Sequence, residues 1–152
     1  MSAAAGSIAA RLVRREHELG ERLKELACLH AIADLFAAPG MTLTRALAAE
    51  CRTIRSAFQY PDRIAVRIDF RSRTYRTRAF REAGPLVTVP LRPEGRVAGT
   101  ITVRYSAGTP CESARPFLAS ERRLLRSIAA FTEALVARCE AGDALRTAKT
   151  RL

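Results

Sequence analysis

The chain has 152 residues and a formal net charge of +11, from 26 Lys+Arg against 15 Asp+Glu. Its length is that of one domain, and a hydrophobic content of 48% excludes a wholly disordered chain. The sequence contains no apolar run of about 18 residues, so we predict no membrane-spanning helix and no membrane partner. The start, MSAAAGSIAARLVRR, lacks the apolar stretch of a secretion signal.

The basic charge is spread along the chain rather than concentrated in one block. Only Lys24 and Lys149 are lysines, and the arginines run from Arg11 to Arg151. This distribution favours a basic solvated surface over a nucleic-acid partner, although an acidic partner protein and a nucleic-acid-binding regulator remain alternatives. The four cysteines are widely spaced with no CxxC pair, which indicates reduced thiols and a cytoplasmic location.

The first predicted element is a helix over about residues 7–37. It carries a heptad repeat with two polar interruptions, formed by Leu12, Glu16, Leu19, Leu23, Leu26, His30 and Ala33. A second apolar stripe on an adjacent face consists of Leu29, Ile32, Leu35 and Phe36. We therefore expect one face of this helix to contact its own domain and the other to contact a partner helix.

The next predicted elements are a second helix and a sheet. Pro39-Gly40 ends the first helix, and apolar residues at three- and four-residue steps predict an amphipathic helix that ends before Pro61. A period of two then predicts strands over residues 64–70, 74–76, 86–91 and 97–105. We expect a turn at Arg71-Ser72, a hairpin over residues 92–95, and close packing or a bulge at Gly99.

A last helix is predicted from about Ser120, interrupted at Gly142 and frayed beyond it. The predicted fold class is therefore α+β, with a central antiparallel sheet of about four to five strands flanked by long N- and C-terminal helices.

Three separated segments carry a resemblance to a known family. They are FQYP at residues 58–61, GTITVRY at 99–105 and PFLASERRLL at 116–125. Together they resemble the GAF-like (GAF/PAS-like) sensory domain found upstream of histidine kinase cores and of phosphoenolpyruvate-synthase-like proteins in bacteria and archaea. The chain departs from that family at Phe58, where tryptophan is usual, and these 152 residues lack the kinase or transferase region.

The resemblance implies a non-catalytic regulatory input domain that is commonly dimeric through its terminal helices. We expect a histidine kinase-associated module of signal transduction, with a helical extension over residues 1–18, a GAF-like domain over 19–140 and a flexible tail over 141–152. Its partners would be a second copy, a separate signalling protein and possible small-molecule ligands. The predicted dimer interface comprises Leu12, Leu19, Leu23, Leu26, His30, Leu125, Ile128 and Leu135.

A basic and aromatic segment provides the candidate ligand-binding residues. These are Arg73, Tyr75, Arg76, Arg78 and Phe80, which could bind an acidic or phosphorylated group. The alternative is a charged edge strand, protected by its arginines from pairing with another sheet.

No catalytic pattern is apparent. His17 and His30 lack partners at metal-ligand spacing, and no phosphate-binding glycine loop or nucleophile motif occurs. We expect no catalysis, no metal and no cofactor. A haem or redox sensor remains an alternative through Cys28, Cys51 or Cys111, although a cysteine on an apolar helix face is usually inert.

Overall fold

The computed structural model describes residues 2–77, 84–106 and 119–150. Within them the chain forms helices α1 (Ser2–Ala37) and α2 (Leu43–Ser56), followed by a short 3₁₀ helix over Pro61–Arg63. The strands are β1 (Ile64–Phe70), β2 (Arg73–Arg76), β3 (Leu86–Leu91) and β4 (Gly99–Tyr105), and helix α3 (Ala119–Thr150) follows. The α+β class predicted from the sequence is confirmed.

The described strands form one antiparallel sheet in the order β2-β1-β4-β3. Alternation along β1 and β4 directs one set of side chains toward the helices, including Ile68 and Ile101, which lie opposite each other in the register. The β1–β2 turn has positive φ at both Arg71 (44°) and Ser72 (69°), the backbone geometry of a type I′ hairpin. The predicted turn is therefore confirmed.

The hydrophobic core lies between the helices and one face of the sheet. Each of the helices α1, α2 and α3 contributes at least one fully buried side chain, and the central strands β1 and β4 contribute others. Residues with no exposed surface include Ile32, Leu47, Ile68, Ile101 and Ile128.

Gly99, the first residue of β4, lies close to the backbone of β1 at Asp69 and Phe70. A Cβ atom at this position would lie 1.9 Å from the backbone oxygen of Asp69. No rearrangement of a flexible side chain could relieve this contact, because the neighbour is main chain. The close packing predicted at Gly99 is confirmed.

The contacts between the helices set their directions. Thr53 to Ala57, near the end of α2, face Lys24 to Ala31 of α1 across a groove, so α1 and α2 run antiparallel. Glu50 contacts Thr132, and the later Gln59 contacts the earlier Glu121, so α3 also runs antiparallel to α2. Helices α1 and α3 therefore run in the same direction, and the start of α1 and the end of α3 project from opposite ends of the domain.

Three predictions are wrong. Leu125 (1% exposed) and Ile128 (0%) were predicted at the dimer interface, but both lie in the core of the single chain. The predicted break at Gly142 is absent, and α3 continues to Thr150, because one glycine costs only about 1 kcal/mol in a helix interior. The fourth strand was predicted to begin at Val97, but β4 begins at Gly99, and Val97 precedes it with an exposed side chain.

Candidate functional site

The candidate site is the outward face of α1. Leu12, Leu19, Leu23 and Leu26 are 57–66% exposed, and their heptad spacing places them on a single stripe along the helix. We refer to these four leucines together with Glu16 and His30 as the α1 seam. Ile8 and Val13, which flank Leu12, are exposed to a similar degree.

The opposite face of α1 packs against its own domain. Cys28 and Ile32 are buried in the core, and Leu29 and Phe36 pack against it partly exposed. The prediction that α1 carries two apolar faces is confirmed for the face that contacts the domain.

Among the described residues, none packs against the first half of α1. Residues 5–19 are exposed on every side of the helix. A lone helix of about 15 residues is only marginally stable in water, and most helical stability in proteins comes from packing of an apolar face. The exposed seam is thus the natural surface for a contact that holds this helix.

Two polar side chains interrupt the seam. Glu16 lies between the levels of Leu12 and Leu19. His30 lies near the far end, where its Nε2 atom is 3.5 Å from Oδ2 of Asp34, one helical turn further on. His30 is well exposed, as an interface residue of an isolated chain would be. Leu135 of α3, also predicted at the interface, is half-buried against the core.

Three of the predicted ligand-binding residues, Arg73, Tyr75 and Arg76, lie on β2, and they do not share one face of the strand. Tyr75 packs against the core, and Arg73 reaches Thr44 of α2 with a 3.5 Å contact from Nη1 to Oγ1. Because side chains alternate along a strand, Arg76 lies on the opposite face of β2 from Arg73. Arg78 and Phe80 lie outside the described residues. Strand β2 lies at an edge of the described sheet, which agrees with the charged-edge interpretation.

Arg71 is committed to a structural ion pair. Its Nε and Nη2 atoms each lie 2.9 Å from a carboxylate oxygen of Glu140 on α3. Its guanidinium also lies 5.1 Å from the centre of the Phe70 ring. This bidentate ion pair connects the β1–β2 turn to the later part of α3, and sequence analysis did not predict it.

The environments of Cys28 and Cys51 disfavour thiol chemistry. Burial, aided by the nearby carboxyl of Glu50, raises the pKa of each thiol to about 12. The reactive form of cysteine is the thiolate, so both residues remain protonated and unreactive near neutral pH. Cys111, the third redox candidate, lies outside the described residues.

Glu50 is a buried carboxyl group that sequence analysis missed. It has no exposed surface, and its Oε1 accepts a 2.5 Å hydrogen bond from the hydroxyl of Thr132. Its Oε2 atom is buried and has no hydrogen-bond partner among the described residues. Burial raises the pKa of Glu50 from 4.5 to about 7, and the Thr132 hydrogen bond offsets only part of that effect. The sequence did contain one indication that Glu50 is buried, because it lies three residues after Leu47, on the apolar face of α2.

The three segments that carry the family resemblance meet at one point of the fold. Glu121 of α3 accepts a 2.6 Å hydrogen bond from the Tyr105 hydroxyl of β4 and a 3.0 Å hydrogen bond from the backbone N–H of Gln59. The rings of Tyr60 and Tyr105 meet edge to face, with centroids 6.0 Å apart. The Glu121 carboxylate, in the first turn of α3, thus connects this helix to β4 and to the segment after α2.

The described residues contain neither a metal-binding cluster nor a membrane-spanning helix. Across residues 2–77, 84–106 and 119–150, no three His, Cys, Asp or Glu side chains are grouped so that they could hold a metal ion. Among the helices in the same ranges, none is both long enough and apolar enough to cross a membrane.

Comparison with known proteins identifies no relative. No family model matches the chain, and no curated protein or solved structure matches it either. The function therefore has to be inferred from the residues and contacts described above.

Proposed function

We propose that this chain is a non-catalytic regulatory module of the GAF-like type that acts as a homodimer through the α1 seam. Its role would be in cytoplasmic signal transduction, where it contacts a separate signalling protein or a small ligand. The observation that carries the proposal is the stripe of four leucines, each more than half exposed, on a helix that extends beyond its own domain.

The energetics of the seam support dimerisation. Full burial of a leucine side chain stabilises by about 1.5–3 kcal/mol relative to leaving it exposed. Association of two proteins costs roughly 4–15 kcal/mol in lost translational and rotational freedom. The seam leucines of two chains are sufficient in number to offset a cost in the lower part of that range.

The contact around Glu121 supports the GAF-like assignment. The FQYP segment, the end of β4 and the start of α3 are separated in sequence, yet Gln59, Tyr105 and Glu121 are joined by hydrogen bonds. Three motifs that cooperate in one contact are best explained as determinants of a shared fold. A regulatory role and kinase association follow from that resemblance.

A cytoplasmic location belongs to the same proposal. Cys28 and Cys51 are free thiols in the core. Such thiols persist in the reducing environment of the cytoplasm.

Substitution of the seam tests the dimer. Leu19→Glu and Leu23→Glu each place a charge in the seam, and we expect either variant to lower the mass in solution to that of one chain. Leu145→Glu is the matched control, because Leu145 is 59% exposed on α3 and lies outside the seam. Mass would be measured by light scattering, and circular dichroism would show that each variant is folded. Loss of the dimer in Leu145→Glu, or its survival in both seam variants, would contradict the proposal.

Crosslinking in cells tests the regulatory role. A module that acts through protein contacts should yield a reproducible crosslink to one signalling protein, and Leu23→Glu should reduce the yield of that crosslink. Equal crosslink yields from the wild type and Leu23→Glu would show that binding of the signalling protein does not depend on the α1 seam.

A further inference from the structure

The α1 seam contains a charge that a dimer must accommodate. Glu16 lies among leucines, and among the described residues none forms an ion pair with it. A carboxylate that loses water without gaining a partner is strongly destabilising. Any pairing of two α1 helices must therefore place a positive charge close to Glu16.

A parallel, in-register pair meets this requirement. In such a coiled coil, each core side chain packs into a hole formed by four residues of the facing helix. For residue i at the heptad position of Glu16, these are the partner's residues i−4, i−1, i and i+3. Glu16 would thus lie against the partner's Leu12, Arg15, Glu16 and Leu19. The two Glu16 carboxylates would approach each other across the axis, and the partner's Arg15 would lie beside each of them, so that two positive charges offset two negative charges.

The flanking residues fit the same arrangement. In a parallel pair, residues that flank the core also meet across the interface. A flanking residue of one helix lies next to the partner residue five positions later in the sequence. Ile8 would therefore meet the partner's Val13, and both are largely exposed in the single chain. This pair would extend the apolar contact next to Leu12.

An antiparallel pair is less favourable. If Leu12 faces the partner's Leu23, Glu16 faces the partner's Leu19 and Arg15 lies near the partner's Arg22. A shift of one heptad instead brings the two Arg22 side chains together. Both arrangements place arginines next to each other and bring no positive charge to Glu16, so neither offsets the cost of burying its carboxylate.

We infer that α1 pairs in parallel and in register with α1 of a second chain, and that Glu16 of each chain binds the partner's Arg15. The inference rests on the proposed homodimer. It adds the orientation of the two chains and the charged pair that sets their register, and it places the two folded domains at the same end of the paired helices.

Charge exchange tests the pair. Arg15→Glu and Glu16→Arg each bring like charges together in the parallel dimer, so each should raise the dimer dissociation constant by about tenfold or more. The double variant Arg15→Glu/Glu16→Arg restores opposite charges, and its dissociation constant should return to within about threefold of the wild type. In the antiparallel arrangement Arg15→Glu would relieve the repulsion from Arg22 and tighten the dimer. That result, or a double variant weaker than both single variants, would overturn the inference.

A distance measurement tests the orientation independently. A spin label at Ser7→Cys, on the exposed first turns of α1, would be measured by pulsed electron resonance in a chain that also carries Cys111→Ser and Cys139→Ser. A parallel dimer places the two labels side by side, within about 25 Å. With Leu12 facing the partner's Leu23, the labels would be displaced along the axis by about 30 Å, at 1.5 Å per residue.

The outcomes separate the two proposals. A short distance supports the parallel pair, and a long distance in a protein of dimer mass overturns the orientation while the homodimer stands. A protein of monomer mass with no coupling between labels overturns both.

Discussion

Replacement of Glu50 by glutamine should remove a large part of the pH dependence of folding stability. Glu50 lies in the core with one oxygen hydrogen-bonded to Thr132, and its other oxygen has no partner in the part of the chain that the structure describes. Glutamine has nearly the same shape but cannot ionise. Any difference between the two proteins that changes with pH therefore reports the ionisation of this one group.

The magnitude follows from the pKa of Glu50, which burial raises from 4.5 to about 7. The folded chain holds this proton more tightly than the unfolded chain, so the associated stability is fully present below pH 4.5. It is lost as the pH rises through 7. A pKa difference of this size corresponds to about 3 kcal/mol, or roughly 6–12 °C in melting temperature for a chain of this length.

The assay is urea unfolding from pH 4.5 to pH 8.5 at one fixed protein concentration, since dimerisation makes stability depend on concentration. Glu18→Gln, at an exposed position of α1, is the matched control. We expect the free energy of unfolding of the wild type and of the control to fall by about 3 kcal/mol more than that of Glu50→Gln over this range.

The difference between proteins is the decisive quantity, because other groups that titrate contribute equally to each curve. Parallel curves for the wild type and Glu50→Gln would refute the reasoning, since they would mean that Glu50 ionises alike in the folded and unfolded chains.

Two further predictions concern contacts of β4. Gly99→Ala should lower the free energy of unfolding by about 3 kcal/mol or more, because its Cβ would overlap the backbone oxygen of Asp69. Thermal melts of the variant would measure this loss, and a wild-type melting temperature would show that β1 and β4 are not in such close contact. Tyr105→Phe removes the hydroxyl that donates to Glu121, so it should cost about 2 kcal/mol in urea unfolding. A loss below about 0.5 kcal/mol would indicate that this hydrogen bond adds little net stability.

The elements with strong local patterns were predicted well from the sequence. The bounds of β1 and β3 agree with prediction because clear turn residues flank the alternating apolar residues of each strand. A proline precedes each strand, the Arg71-Ser72 turn follows β1, and a hairpin with glycine follows β3. The two faces of α1 were recognisable because their heptad and core stripes fall on different sides of the helix.

The contacts between distant parts of the chain were not predictable in this way. Arg71 and Glu140 are 69 positions apart, and Glu50 and Thr132 are 82 positions apart. Local periodicity does not encode such pairs. The same limit explains the error at Leu125 and Ile128, because an apolar helix stripe looks the same whether it packs in a core or against a second chain.

The candidate site was predictable in position but not in detail. The spacing of Leu12, Leu19 and Leu26 identified the seam, and the structure then showed these side chains exposed in the single chain. The arginine segment was less informative, because only the strand geometry of β2 reveals that Arg73 and Arg76 lie on opposite faces.

The central claim is that the α1 seam joins two chains, and sedimentation equilibrium of the wild-type protein tests it most directly. Across micromolar concentrations we expect a mass twice the 16.7 kDa of one chain. Dissociation to single chains should appear only on strong dilution. A mass of one chain at every concentration, with α1 helical by circular dichroism, would contradict the account.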